Sequence, residues 1–237
     1  MKNSPQKQTA ETFDGYQARY SDTVNRAVKF TGLDVDFFTR VKVDYIEDIA
    51  TDFFGSTSEV NALDIGCGIG NFHTLLAPKF ASLKGIDVSA ASIEKARAVH
   101  PDVSYKVYDG GILPYDDETF DLAFTICVLH HVPPEDWETF ASEMYRVIRP
   151  GGLALVFEHN PQNRLTMRAV NNCPFDEDAV LLRSDKCVQL LVNAGFNKVS
   201  PHFILSIPPA NSILRSVDRW FSKMPFGAQY YVSAKRT

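Results

Sequence analysis

The chain has 237 residues, 45% of them hydrophobic and 22% charged, with a formal net charge of −5. That length and balance fit one generous globular domain with a substantial core. The acidic excess argues against a nucleic-acid partner, which calls for a basic surface, and no apolar run approaches the roughly 18 residues that span a bilayer.

The opening Met1-Lys2-Asn3-Ser4-Pro5-Gln6 is polar and does not read as a signal peptide. The four cysteines, at 67, 127, 173 and 187, show no CxxC pair or other metal spacing. A reduced, cytoplasmic protein without a metal is therefore expected. Residues 1 to about 10 are polar; Tyr16 and Tyr20 then lie four apart, on one face of any helix they share. Val43, Ile46, Ile49, Ala50, Phe53 and Phe54 trace a helical stripe that Gly55 stops.

Residues 60–72 read Val-Asn-Ala-Leu-Asp-Ile-Gly-Cys-Gly-Ile-Gly-Asn-Phe. An apolar run ends in Asp64, and glycines follow at 66, 68 and 70. This predicts a buried strand turning sharply into a helix, because glycine tolerates positive φ and lets a ligand lie against the backbone. Phe72, Leu75, Leu76 and Phe80 mark that helix, which Pro78 kinks or ends early. Asn71 stands where a dinucleotide fingerprint needs its third glycine, and no G-K-S/T follows. Asp64 would repel phosphate and suits a cationic ligand.

Leu63-Asp64-Ile65-Gly66-Cys67-Gly68-Ile69-Gly70 resembles motif I of the class I S-adenosylmethionine-dependent methyltransferases. The resemblance implies an α/β, Rossmann-like fold: a seven-stranded, mostly parallel sheet with helices on both faces and a C-terminal antiparallel hairpin. It implies S-adenosylmethionine as cosubstrate, S-adenosylhomocysteine as product, and cofactor contacts from Asp64, Gly66, Cys67, Gly68 and Gly70. It also implies a helical lid over residues 1–55, with Tyr20 above the cofactor, and a methyltransferase domain over 56–237.

A second strand over 81–88 ends in Gly85-Ile86-Asp87-Val88. Asp87 follows Gly66 by about twenty residues, where α/β nucleotide folds place a ribose-binding carboxylate. Ser89 caps the next helix to Val99, and Pro101 ends that segment. Val103, Tyr105 and Val107 alternate as a third strand. By the resemblance Asp109 receives the adenine amino group, Gly110 or Ile112 flanks the ring, and Val88 and Cys127 border the cofactor. Pro114-x-x-Asp117-x-x-Phe120-Asp121 is also typical of the family and leads into a fourth strand, 122–129.

His130 and His131 follow at the strand's carboxyl edge, where open α/β sheets bind ligands. Adjacent histidines point apart and no third ligand is apparent, so no metal is expected there; one of them, His130, shapes the cofactor pocket. Trp137, Phe140, Ala141, Met144, Val147 and Ile148 form an amphipathic helix. Arg149-Pro150-Gly151-Gly152 closes it as stop and turn, another family hallmark. The fifth strand, 153–157, ends in Glu158-His159-Asn160.

A polar insertion from 160 to 184 is expected to set substrate specificity. His159 is the candidate general base, since imidazole titrates near neutral pH, with Glu158 and the other histidines, His131 among them, as rivals. Ser184 caps a helix that Gly195 ends, and 199–207 with 229–234 form the final strand pair. Between them, over 208–227, Ile213, Leu214, Val217, Trp220, Phe221 and Met224 make an apolar face beside a basic row of Arg215, Arg219 and Lys223. That face over 211–224 packs on the body or makes peripheral membrane contact.

The expected activity is methyl transfer to a small-molecule acceptor, with oxygen favoured because the mouth is rich in histidine. The alternatives are N-methylation of a small molecule or sugar, and a non-catalytic S-adenosylmethionine-binding partner or sensor. Nucleic-acid methylation is disfavoured by the acidity and by His131-Val132-Pro133-Pro134 standing where an Asn/Asp-Pro-Pro-Tyr/Phe motif would be.

Overall fold

The computed structural model describes residues 20–237. Helix α1 covers Tyr20–Val28 and α2 Val35–Phe54. The Asp34 carboxylate caps α2 by accepting from Phe37 N at 2.8 Å, and Gly55, at φ +80°, ends it. Strands β1 Asn61–Ile65, β2 Ser82–Asp87, β3 Ser104–Val107, β4 Phe120–Ile126 and β5 Ile148–His159 run parallel. β6, Asn197–Ile204, and β7, Gln229–Lys235, complete one seven-stranded sheet in the order β3-β2-β1-β4-β5-β7-β6. β7 is antiparallel to both its neighbours.

Both faces of the sheet are covered, so the central strands are apolar throughout and all seven residues of β4 are buried. Side chains alternate between faces. Leu122, Phe124 and Ile126 pack with Val41, Tyr45, Ile46 and Ala50 of α2. Ala123 and Ala154 face the other way, with α5 (Trp137–Val147) and α7 (Ser184–Asn193). α4, Ala90–Val99, is capped by Ser89, whose hydroxyl accepts from Ser92 N, and packs Ile93 and Ala96 against Val103 and Tyr105. The strand order reverses between β1 and β4, which opens a crevice at their carboxyl ends.

Several expectations are corrected. The helix after the glycines, α3, is only His73–Leu76, and Pro78 falls in the 3-10 turn Ala77–Lys79 that follows. β4 stops at Ile126, and Leu129–His131 forms a 3-10 turn instead of extending the strand. Arg149–Gly152 lies within β5, which starts at Ile148; Gly151 takes φ +83° there. Ser184 is the first helical residue of α7 and not its cap. The 160–184 stretch holds a helix, α6 Arg164–Asn171, because Asn163 Oδ1 accepts from both Leu165 N and Thr166 N.

Helix α8, Ser212–Trp220, carries the expected apolar face, but the basic row is not free. Arg215 pairs with Asp44 and Asp48, and Arg219 with Asp48, tying α8 to α2. The fully buried Asp218 anchors the same helix by accepting from Tyr45 Oη and from the N–H groups of Leu205, Ser206 and Ile207. No helix among the described residues is long and apolar enough to cross a membrane.

Candidate functional site

A cavity of about 600 Å³ fills the crevice. Gly66, Cys67 and Gly68 border it from the end of β1, Asp87 and Val88 from β2, and Tyr108 from beyond β3. Cys127, His130 and His131 border it from beyond β4, and His159 from the end of β5. Residues of α1, α2 and α6 close the other side, among them Val24, Phe38, Lys42 and Leu165.

The glycine turn is built as its sequence requires. Gly66, Gly68 and Gly70 sit at φ +80°, +53° and +76°. A Cβ on Gly66 would lie 2.5 Å from Val128 Cγ2, whereas one on Gly68 would meet no atom within 4 Å. Gly66 therefore serves close packing, and Gly68 keeps open space. Asp87 braces the turn: its Oδ2 accepts from Gly68 N at 2.8 Å and its Oδ1 from Ser89 N at 2.9 Å. Burial raises its carboxyl to about 6 despite those bonds.

Four expected cofactor residues do not border the cavity. Asp64 is buried behind the turn, where its Oδ2 meets His73 Nε2 at 3.0 Å, and so it does not face a cationic ligand. Gly70 backs onto His100 and Tyr105. Asp109 accepts from Gly111 N at 3.0 Å within its own loop, and Gly110, in the same turn, is buried off the cavity. Tyr16 lies outside the described residues, as does the side chain of Tyr20.

At the opposite end, charged groups cluster. His130 Nδ1 meets Glu158 Oε2 at 2.5 Å, and Glu158 Oε1 accepts from Leu129 N at 2.8 Å. His130 Nε2 and His131 Nε2 lie 3.6 and 3.5 Å from the same oxygen, Asp176 Oδ1. The two neighbouring rings thus converge, at 4.1 Å between centroids, where the sequence had them point apart. The 3-10 turn is the reason: its geometry does not alternate side chains as a strand does.

Burial disfavours charge on His130, but Glu158 and Asp176 outweigh it and hold the imidazole well above its ordinary value. Burial also lowers His131 to about 3 and His159 to about 4, helped by the charge on His130. Both are neutral near pH 7. The His159 ring lies tilted at 46° to that of His130, with centroids 5.2 Å apart, and its Nδ1 lies 3.3 Å from the Gln229 amide.

Lys42, Asp176, Gln229 and Tyr108 all border the cavity without having been singled out from the sequence. Lys42 did carry a signal, since it precedes Tyr45, Ile46 and Ile49 by three, four and seven residues and so lies on the apolar stripe of α2. It is only 6% exposed and has no hydrogen bond or ion pair among the described residues. His73, Asp176 and Gln229 had none, because each meets its partners through the tertiary fold.

Residues 63–156 match a family described as a methyltransferase domain. Norajmaline N-methyltransferase of Rauvolfia serpentina is 32% identical over 162 residues, covering 65% of this chain and 49% of that enzyme. An uncharacterized methyltransferase of Synechocystis is 33% identical over 144 residues, covering 59% of this chain and 68% of that one. A ubiquinone biosynthesis O-methyltransferase of Rhizobium etli is 32% identical over 155 residues, covering 61% of this chain and 60% of that enzyme. The matched stretches span about half the length of several curated relatives, norajmaline N-methyltransferase among them. A solved S-adenosylmethionine-dependent methyltransferase of Thermotoga maritima, described as a possible histamine N-methyltransferase, shares the fold at a TM-score of 0.67. It is 18% identical, with 97% of this chain and 100% of that one covered.

Proposed function

The chain belongs to the class I S-adenosylmethionine-dependent methyltransferases, and on that premise we propose that it methylates a small, largely apolar acceptor, preferentially at oxygen. The observation that carries this reading is one continuous cavity from the glycine turn and Asp87 to the histidine cluster. It offers cosubstrate and acceptor adjoining seats. The chemistry of its walls suits S-adenosylmethionine: open space over Gly68, a buried carboxylate at Asp87 and, at Lys42, a buried ammonium with no partner among the described residues.

S-adenosylmethionine, when bound, supplies a methyl group on a positively charged sulfur that an acceptor displaces. The protein's part is mainly alignment, and a general base where the acceptor carries a proton. We assign Asp87 to the ribose hydroxyls, Lys42 to the carboxylate of the methionine moiety, and Gly66, Cys67 and Gly68 to the backbone wall beneath it. Val88, Tyr108, Cys127 and His130 complete that wall. Asp109 and Gly110 keep a role only if their loop turns toward the adenine. Residues 20–55 are assigned as a cap on the domain that follows.

His159 is assigned as the base. An acceptor hydroxyl grows acidic as its oxygen gains a bond, so an imidazole of lowered basicity suffices. For Nε2 to take that proton, Nδ1 must carry the ring hydrogen. The Gln229 amide supports this if its oxygen faces Nδ1, and that buried oxygen has no other partner among the described residues. His131 is the rival. Labelled-methyl transfer from S-adenosylmethionine to a panel of apolar phenols, alcohols and amines tests both acceptor and base. His159→Ala should lose at least tenfold in kcat with a hydroxyl acceptor; near-full turnover would remove that role.

A second reading concerns how the acceptor arrives. Trp220 is 85% exposed, Ile213 and Phe226 are exposed as well, and Phe226 with Leu165 also borders the cavity. An apolar surface joined to the cavity mouth favours peripheral contact with a lipid surface holding an apolar acceptor. Sedimentation with phosphatidylcholine vesicles should carry the chain down, and Trp220→Ala with Phe226→Ser should release it. Equal recovery in the supernatant with and without vesicles would end that reading.

A further inference from the structure

We propose that His130, His131 and Asp176 form a binding site for one divalent first-row transition metal ion. One ligand atom from each of the three residues lies within 4.8 Å of the other two, and His130 Nε2 and His131 Nε2 stand 3.6 and 3.5 Å from Asp176 Oδ1. Those separations are longer than an N–H···O hydrogen bond, which peaks near about 2.9 Å. They match the edge of a tetrahedron whose metal–ligand bonds are about 2.1 Å, roughly 3.4 Å. Both nitrogens thus stand from the carboxylate oxygen as ligands stand from one another around an ion.

The surroundings support the assignment. Glu158 Oε2 holds Nδ1 of His130, and Leu129 N holds the other oxygen of Glu158. A carboxylate fixing the far nitrogen of a ligating histidine is the usual outer support of such sites, because it sets the tautomer and the ring angle. All three ligands border the cavity, so an ion there keeps open positions toward it. Two imidazoles with one carboxylate select zinc, iron or cobalt over magnesium, which prefers oxygen donors throughout. Binding replaces the proton of His130 Nε2, while its Nδ1–H stays on Glu158, so one proton leaves per ion bound from the imidazolium state. The ion's charge is balanced by Asp176 and Glu158.

The open positions would take an oxygen of the acceptor and aid its ionisation. That step rests on the methyl-transfer reading, whereas ion binding does not. The test therefore uses neither cosubstrate nor acceptor. The full chain, stripped with a chelator, is titrated with Co²⁺ and followed by visible absorption, with Mg²⁺ as a control. The expected result is one Co²⁺ per chain, displaced by Zn²⁺ and unaffected by Mg²⁺. His131→Ala and Asp176→Asn should each weaken binding at least tenfold. No spectral change at millimolar Co²⁺, or binding unchanged in both variants, would overturn the site and leave His130 as an imidazolium between two carboxylates. If a variant fails to fold, histidine ring resonances of the wild type decide. Zn²⁺ must move those of His130 and His131 and leave remote His202 in place; no shift, or a shift at His202 instead, would overturn the site.

Discussion

The carboxylate of Asp64 meets the imidazole of His73 at 3.0 Å behind the glycine turn, and the other imidazole nitrogen meets Tyr105 Oη at 2.6 Å. The acidic residue of the motif therefore joins β1 to α3 and β3 and keeps the turn in place from below. Its second oxygen, Oδ1, is buried with no hydrogen-bond partner among the described residues, so His73 carries the whole task of satisfying this carboxylate.

His73→Ala should accordingly cost about 3–5 kcal/mol, the range for orphaning a buried charge. The double variant Asp64→Leu/His73→Leu should recover much of that loss. Denaturant unfolding measures both; a cost below about 1 kcal/mol for His73→Ala would show that Asp64 is satisfied some other way.

Two glycines of the turn should fail differently. A Cβ at Gly66 collides with the Val128 side chain, and one at Gly68 meets open space, though both positions have positive φ. Gly66→Ala should unfold at markedly lower denaturant. Gly68→Ala should lose only the order of 1 kcal/mol from strain, but lose S-adenosylhomocysteine affinity at least tenfold. Equal stability losses in the two would contradict this division.

Asp87 sets a pH dependence. Its folded carboxyl titrates at about 6, above the ordinary aspartate value of 3.8. Between those values the folded chain holds more of its proton than the unfolded chain does. This group's contribution to stability is therefore greatest below about pH 4, is lost as pH rises through about 6, and amounts to about 3 kcal/mol in all. Ligand affinity should run the other way, weakening as pH falls through about 6, because only the carboxylate accepts from both ribose hydroxyls. Both trends, taken as wild type minus Asp87→Asn, check this; a stability contribution that grows as pH rises through about 6, or an affinity that strengthens as pH falls through it, would refute it.

Lys42 trades stability for binding. A buried, unpaired ammonium opposes folding, so Lys42→Met should unfold at equal or higher denaturant than wild type. The same change should weaken S-adenosylhomocysteine at least tenfold and leave adenosine, which has no carboxylate, nearly unaffected. An equal loss for both ligands would place the ammonium's role elsewhere.

The sheet was legible because its signals are local. The run from Val60 to Gly70, the cap at Ser89 and the alternation around Tyr105 each specify an element within a few residues. The lining of the cavity was legible only where it coincides with such elements, as at Gly66, Gly68, Asp87 and His159. Asp64 was misread because a strand-end carboxylate does not announce which side of a turn it faces, and His73 claims it from nine residues away. The convergence of His130 and His131 was missed because their spacing was judged as a strand's, and Asp176 reaches them from a turn beyond α6. The stretch 160–184 was read as a polar insertion, although the Asn163 side chain caps α6 within it. Arg215 and Arg219 could not be paired with Asp44 and Asp48 from sequence, since more than 160 positions separate them.

The central claim is that the cavity between the glycine turn and the histidines seats S-adenosylmethionine on Asp87. The most direct measurement is calorimetric titration of the full chain with S-adenosylhomocysteine, in wild type and in Asp87→Ala, with NAD as control. The account predicts one site in wild type, no heat with NAD, and at least a tenfold weaker Kd in Asp87→Ala while the fold is retained. Absence of binding in wild type, or an unchanged Kd in Asp87→Ala, would contradict it.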